Sequence, residues 1–175
     1  MKTLVVGGVR SGKSRYAEEL AAAHDGPVAV VVTATAGDEE MAARIAAHRA
    51  RRPSHWRVVE EPIALGRALL DAARPGSVVI VDCLTLWLTN IMLQPDAQLL
   101  QRESDALLAA VQSAPGAVIL VSNEVGSGIV PINELARRFG DETGSLHQRL
   151  ARACDRVVWM VAGLPLTVKP RPAAG

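Results

Sequence analysis

The residues GGVRSGKS, at positions 7–14, have the spacing of a phosphate-binding loop. Gly7 and Gly12 permit backbone angles that a side chain would hinder, so successive amides can turn inward around an anion. Lys13 can reach the β- and γ-phosphates of a nucleotide, and the hydroxyl of Ser14 can ligate Mg²⁺. A plain glycine turn before a helix is the alternative interpretation. Because a strand pattern precedes the motif and a helix pattern follows it, we predict nucleotide binding here.

An acidic residue, Asp82, ends the apolar run VVIVD. P-loop proteins usually need such a residue at the end of another buried strand, where it holds the water shell of the metal. Taken alone, Asp82 could equally cap the helix predicted at Leu84–Leu93. Taken together with the phosphate loop, the metal role is favoured, and we predict that Ser14 and Asp82 hold Mg²⁺, directly or through water.

A histidine, His48, lies among arginines in the segment DEEMAARIAAHRARRP. On a helix, Met41, Ile45 and His48 would share one face. One interpretation is a packed histidine beside a solvated basic helix end, and spacing alone favours it. The other is a histidine nucleophile or acid/base, next to arginines that hold a second set of phosphates. The residues leave both open. The arginines are Arg44, Arg49, Arg51 and Arg52.

The stretch SNEVGSGIVPINELARRFGDETG follows another strand pattern. Its polar pair, Asn123 and Glu124, stands at the carboxyl end of a buried strand, where α/β sheets bind ligands. Gly126, Gly128 and Pro131 fit a mobile loop over a ligand, although an ordinary surface connection would also fit them. The pair is not the Asn-Lys-x-Asp guanine signature of switch GTPases, which counts against a switch.

Strand and helix patterns alternate along the whole chain. The runs VAVVV, VVIV and VILV are almost continuously apolar, as expected for parallel strands buried on both faces. We therefore predict an α/β fold of the P-loop NTPase (RecA-like) type, with three layers and a mostly parallel sheet. The predicted strands are Thr3–Val6, Val28–Thr33, Arg57–Val59, Val78–Val81, Ala117–Ser122 and Arg156–Val161. Besides Leu84–Leu93, the predicted helices are Lys13–His24, Asp38–Ala50, Ile63–Ala73, Asp96–Ser113 and Glu142–Ala153.

Length and composition predict one domain over residues 1–169, with a flexible tail at 170–175. Of the 175 residues, 19 are basic and 18 acidic, a balance that predicts neither nucleic-acid binding nor attraction to an anionic membrane. We see no signal peptide and no apolar run long enough to span a membrane, so we expect a cytoplasmic protein without membrane insertion. Cys83 and Cys154 match no metal or redox spacing.

Three blocks resemble the bifunctional adenosylcobinamide kinase / adenosylcobinamide-phosphate guanylyltransferase family of cobalamin biosynthesis. They are GGVRSGKSRYAEEL, DEEMAARIAAHRARRPSHWRVVEEP and SNEVGSGIVPINELARRFGDETG, in the family's order. The resemblance implies that adenosylcobinamide is phosphorylated on its aminopropanol hydroxyl by a nucleoside triphosphate. It further implies that GMP passes from GTP to that phosphate, giving adenosylcobinamide-GDP and pyrophosphate. The implied substrates are thus ATP, GTP, adenosylcobinamide and its phosphate, with Mg²⁺ as cofactor.

The resemblance also implies the site residues. It makes His48 the covalent carrier of the guanylyl group and Lys13 a catalytic residue. Asp82 stands where many members have Glu, and His147 stands where we expect Asn. The implied nucleotide-binding residues are Gly7, Gly8, Val9, Arg10, Ser11, Gly12, Lys13, Ser14, Ala34, Thr35, Ala36, Arg49, Ala50, Arg51, Arg52, Glu60 and Asp82.

Two other hypotheses remain at this stage. In one, the chain is a small-molecule kinase that uses only the P-loop, with His48 structural. In the other, it is a nucleotide-gated binding module, against which the near-neutral charge weighs. The family resemblance also implies a homo-oligomer, a trimer.

Overall fold

Seven strands form one sheet in the computed structural model, which describes residues 1–34, 39, 46 and 50–170. The strands are β1 (Lys2–Gly7), β2 (Val28–Val32), β3 (Arg57–Glu60), β4 (Val78–Asp82), β5 (Ala117–Asn123), β6 (Arg156–Val161) and β7 (Leu164–Lys169). Their spatial order is β3-β2-β4-β5-β1-β6-β7. Only the β6–β7 pairing is antiparallel, so the predicted mostly parallel sheet is confirmed. The carboxyl ends of β1 to β6 therefore lie at one edge.

Helices cover both faces of this sheet. Alternate residues along each strand point to opposite faces, so Val5 and Ile80 pack with α1 while Leu4 and Val81 pack with the other helices. This arrangement is the predicted three-layer α/β architecture. In the described part of the chain the helices are α1 (Lys13–Ala22), α2 (Leu65–Ala72), α3 (Leu84–Met92), α4 (Leu99–Ser113) and α5 (Glu134–Ala153).

Helix α5 begins earlier than the sequence pattern predicted. We expected a start at Glu142, but the helix begins at Glu134. Gly140 and Gly144 lower the helix propensity of this region, which hid the true start. The side chain of Asn133 accepts a hydrogen bond from the amide of Ala136 at 3.0 Å and so caps the first turn.

The edge strand β7 was not predicted. Its sequence, LPLTVK, contains a proline and is largely exposed, so it lacks the continuous apolar run that marked the other strands. The turn that joins β6 to β7 donates a hydrogen bond from the amide of Gly163 to the carbonyl of Ser11 at 3.1 Å. The hairpin therefore supports the segment between β1 and α1.

Candidate nucleotide-binding site

The segment between β1 and α1 folds as a glycine loop that opens onto a helix N-terminus. Gly12 has φ 94°, a left-handed conformation that favours glycine. A Cβ on Gly7 would lie 2.6 Å from the carbonyl oxygen of Met160, so the backbone of β6 also requires glycine there. The amide of Ser11 donates to the carbonyl of Gly8 at 3.2 Å, which closes the turn. The backbone thus has the form that the phosphate-loop prediction required.

Lys13 lies at the start of α1 and is only 7% exposed. Its Nζ donates to the carbonyl of Gly8 at 2.7 Å, so the ammonium group lies over the loop that precedes it. Burial lowers the pKa of Lys13 from its ordinary value, and the negative charge of Asp82 acts in the opposite direction. The arrangement places a cation where a bound polyphosphate would need one.

Ser14 and Asp82 come together although the described elements β2, β3 and α2 lie between them in the chain. The hydroxyl of Ser14 donates to Oδ1 of Asp82 at 3.4 Å. A hydroxyl and a carboxylate are oxygen donors of the kind that Mg²⁺ prefers, and Mg²⁺ usually completes its shell with water and substrate phosphate. Within the described residues there is no group of three or more His, Cys, Asp or Glu side chains that could hold a metal. The Ser14–Asp82 pair fits the oxygen ligands of an Mg²⁺ ion that a nucleotide also binds.

Arg52 lies against the same carboxylate. Its Nη2 donates to Oδ2 of Asp82 at 3.0 Å, and its Nε donates to Oε1 of Glu18 at 3.2 Å. The Arg52 side chain is 6% exposed, and those of Glu18 and Asp82 are 13% and 12% exposed. Arg51 also donates to Glu18, from Nε at 2.8 Å and from Nη2 at 3.2 Å. Two of the arginines that the sequence singled out are therefore anchored beside the phosphate loop.

The carboxyl end of β5 joins the site through residues that the sequence noted but did not assign to it. The amide of Glu124 donates to the carbonyl of Gly7 at 2.9 Å, and Nδ2 of Asn123 donates to the hydroxyl of Thr85 at 2.8 Å. Burial raises the pKa of Glu124, but hydrogen bonds from Ser127 and from the amide of Gly126 outweigh it, and the net shift is downward. The feature of the sequence that pointed to these residues was the polar pair, Asn123 and Glu124, at the end of a strand.

His147, whose role the sequence left open, reaches this strand end from α5. Its Nε2 and the hydroxyl of Ser122 are 2.7 Å apart, and the Ser122 side chain is completely buried. Burial lowers the pKa of His147 from its ordinary value, with the charge of Glu124 acting in the opposite direction. His147 is therefore a hydrogen-bonded histidine next to the strand that separates β1 from β4.

The remaining predicted residues divide into two groups. Glu60 ends β3 and Asp82 ends β4, and both pair with Val32 across the sheet, so the structure brings Glu60 to the same edge. Ala34 follows β2 at that edge. The other predicted residues of this region lie outside the described residues. They are Thr35, Ala36, His48 and Arg49. Most of the predicted helix Asp38–Ala50 and residues 171–175 of the predicted tail also lie outside the described residues.

Comparison with protein families finds one model that covers nearly the whole chain. Residues 3–168 match the family described as cobinamide kinase / cobinamide phosphate guanyltransferase. The match includes all three blocks from which the resemblance was drawn. It also includes every predicted site residue, because these lie between positions 7 and 82.

Individual relatives align with this chain over nearly their full length. The chain is 55% identical over 172 residues to the bifunctional adenosylcobalamin biosynthesis protein CobP of Pseudomonas aeruginosa, covering 98% of this chain and 99% of the relative. It is 41% identical over 182 residues to the bifunctional adenosylcobalamin biosynthesis protein CobU of Escherichia coli, covering 97% and 100%. Both alignments therefore span nearly the whole of each chain.

Solved structures support the fold class. A protein of Pyrococcus horikoshii described as PH0250 superposes with a TM-score of 0.58 at 10% identity, covering 98% of this chain and 87% of that one. An ATPase from the type III secretion system of pathogenic bacteria gives a TM-score of 0.51 at 12% identity, covering 95% and 56%. With the observed sheet and loop, these neighbours confirm the predicted RecA-like P-loop NTPase fold. Along the described residues, no helix is long and apolar enough to cross a membrane.

Proposed function

The chain belongs to the cobinamide kinase / cobinamide phosphate guanyltransferase family, and from that membership we propose that both reactions use one nucleotide site, built on the loop Gly7–Ser14. It is a bifunctional enzyme of cobalamin biosynthesis. The kinase reaction moves the γ-phosphoryl group of a triphosphate to the aminopropanol hydroxyl of adenosylcobinamide. The second reaction moves GMP from GTP to that phosphate and releases pyrophosphate. The single observation that carries the proposal is the contact of Asp82 with both Ser14 and Arg52.

His48 carries the GMP group between the two substrates. A ring nitrogen of His48 attacks the α-phosphorus of GTP, so that a P–N bond forms while the bond from the α-phosphorus to the pyrophosphate oxygen breaks. The imidazole proton passes to solvent. An oxygen of adenosylcobinamide phosphate then attacks the same phosphorus, the P–N bond breaks, and the ring takes back a proton from solvent, which restores the free histidine. This assignment is supported by position, because His48 precedes Arg52 by four residues and Arg52 contacts the phosphate-loop side of the sheet.

The cations beside Asp82 supply the electrostatic part of the chemistry. Lys13 serves the β- and γ-phosphates, as the loop lysine does in P-loop proteins generally. Arg51 and Arg52, with Arg49 and the backbone of Ala50, hold the phosphates during guanylyl transfer. Charge that spreads over phosphate oxygens in the transition state is best stabilised by cations that are already in place. Glu60 accepts hydrogen bonds from the N1–H and amino group of guanine.

Mg²⁺ enters with the nucleotide in this proposal. Ser14 and Asp82 would hold it, and it would neutralise charge on the phosphate oxygens. GTP is the guanylyl donor, and ATP or GTP serves the kinase step. Ala34, Thr35 and Ala36, which follow β2, contact the nucleotide from the same edge of the sheet.

A single variant, His48→Ala, tests the histidine assignment. We expect it to abolish the guanylyl adduct that intact-mass measurement detects after incubation with GTP and Mg²⁺. The kinase rate should remain within a few fold, because the phosphate loop is a separate element. His55→Ala is the matched control, since His55 is exposed and lies in the same stretch of chain. A folded His48→Ala protein with an undiminished adduct would contradict the assignment, and retention of only the kinase in the parent protein would favour the kinase-only hypothesis.

The chain also assembles as a homo-oligomer, a trimer, in the cytoplasm. This part of the proposal rests on the resemblance, and on exposed apolar side chains, including Ile129, Ile132 and, on β7, Leu164. Large apolar side chains that are exposed on one chain are often covered by a partner. Light scattering at micromolar concentration tests it, and a monodisperse monomer would remove the oligomer from the proposal.

A further inference from the structure

Four side chains form a closed ring next to the phosphate loop. Ser14 and Glu18 are four residues apart on α1, so both lie on one face of that helix. Ser14 contacts Asp82, Asp82 contacts Arg52, and Arg52 contacts Glu18. The backbone of α1 closes the ring. Because α1 follows directly from the loop, a residue that contacts Glu18 has its position fixed relative to the bound phosphates.

The side chains of the ring are largely shielded from solvent, so the ion pairs within it are only weakly screened. The Arg52 side chain is almost completely buried, and its carboxylate partners within the described residues are Glu18 and Asp82. Hydrogen bonds between a guanidinium and a carboxylate are directional as well as strong, so they fix orientation. Glu18 also receives both hydrogen bonds from Arg51, one to each carboxylate oxygen. One carboxylate on α1 therefore holds two consecutive arginines.

These two arginines follow the proposed nucleophile closely in the chain. His48 is three residues before Arg51 and four before Arg52. A segment held at positions 51 and 52 restricts where residue 48 can go, because the chain extends at most about 3.6 Å per residue. Whatever fixes Arg51 and Arg52 against α1 also limits the distance between His48 and the phosphates.

We propose that Glu18 is a positioning residue for guanylyl transfer, which pairs with Arg51 and Arg52 and thereby restrains the chain that leads to His48. Glu18 touches no reacting atom in this role. The proposal rests on the proposed function of His48. It also separates the two activities, because Lys13 takes its place through the loop backbone and Ser14 through the first turn of α1, and neither requires Glu18.

The test compares Glu18→Gln with Glu19→Gln. Glu19 is the next residue on the same helix, but it is exposed and pairs only loosely with the exposed Arg15, at 3.7 Å. At saturating GTP, we expect Glu18→Gln to slow formation of the guanylyl adduct by about 10- to 100-fold, the range in which small misplacements of reacting groups fall. The kinase rate of Glu18→Gln should stay within about threefold of the parent, and Glu19→Gln should match the parent in both.

Glu18→Asp is the second variant, and it still tests the proposal if Glu18→Gln folds poorly. It retains the charge but is shorter by one methylene group, so it should recover part of the lost adduct rate. Melting temperatures of all variants are measured on the same preparations. A merely structural role for Glu18 would lower the kinase and the adduct rates together with the melting temperature, and that result would overturn the proposal. An unchanged adduct rate in a folded Glu18→Gln protein would overturn it as well.

His48→Ala, measured in parallel, distinguishes the two proposals. If the adduct disappears in His48→Ala but is unaffected in Glu18→Gln, the assignment of His48 as the nucleophile is supported and the positioning role of Glu18 is rejected. If Glu18→Gln slows the adduct while His48→Ala still forms it, Glu18 positions a nucleophile other than His48. That outcome supports the role of Glu18 and rejects the assignment of His48.

Discussion

The phosphate loop and the arginine segment, residues 50–52, meet at Asp82 but are held there in different ways. The loop lies between two regular elements, and backbone contacts from Met160 and Gly163 support it. The arginine segment is fixed to α1 and β4 by side-chain ion pairs with Glu18 and Asp82. One region is shaped by steric constraints, the other by charge.

This difference separates what each region can do. A loop built from backbone amides keeps its form without help from any single side chain, so it can serve two nucleotides in turn. A segment held by ion pairs responds to changes in nearby charge, and an incoming polyphosphate is such a change. We expect the loop to bind nucleotide in both reactions and the arginine segment to matter chiefly in guanylyl transfer.

The largest effect is expected from Lys13→Ala. The loop backbone would keep its shape, but the cation at the transferring phosphoryl group would be gone, which typically costs about 10²- to 10³-fold in rate. Both the kinase rate and the adduct rate should fall, because we propose that the nucleotides of both reactions bind at this loop. Arg15→Ala on the same helix is the control, because Arg15 is exposed and pairs with the exposed Glu19. Near-normal kinase rates in Lys13→Ala would contradict the loop assignment.

An intermediate loss of stability and of triphosphate binding is expected from Gly12→Ala, which tests whether steric constraints shape the phosphate loop. Alanine at φ 94° is strained by about 1–2 kcal/mol, and its Cβ would lie 3.3 Å from Cα of Gly163. The free energy of unfolding should fall by that amount in chemical denaturation, and triphosphate binding should weaken with it. Gly128→Ala is the control, since a Cβ there meets no atom within 4 Å. Equal stability of the two variants would show that the loop tolerates a side chain.

The smallest change, a small loss of stability, is expected from Arg51→Ala, which tests whether ion pairs hold the arginine segment. The Arg51 side chain is 45% exposed, and Glu18 would keep Arg52 as a partner. Exposed ion pairs contribute about 1 kcal/mol or less, so the free energy of unfolding should change by no more than that. The change should shrink further in about 1 M salt, where screening acts within about 3 Å. A larger loss of stability at high salt than at low salt would mean that Arg51 acts through packing rather than charge.

The sequence by itself determined the loop and the fold class, and it predicted that Ser14 and Asp82 act together. Gly7–Ser14 is a local motif whose spacing follows from the geometry of phosphate binding, so four fixed positions suffice to identify it. Asp82 could be assigned because it ends an apolar run, and parallel strands place such ends at one edge. The arginines were also noted from sequence, through their clustering around His48.

Only the tertiary structure decided which partners those residues have. Nothing in the sequence near Glu18 distinguishes it from Glu19, because both are glutamates on the same predicted helix. Glu18 pairs with Arg51 and Arg52, while Glu19 is exposed, and that difference arises when α1 packs on β4 and β5. The strand β7 and the early start of α5 were missed for a related reason. Their stability comes from hydrogen bonds to β6 and from the Asn133 cap rather than from apolar periodicity, which is the signal that a sequence pattern carries.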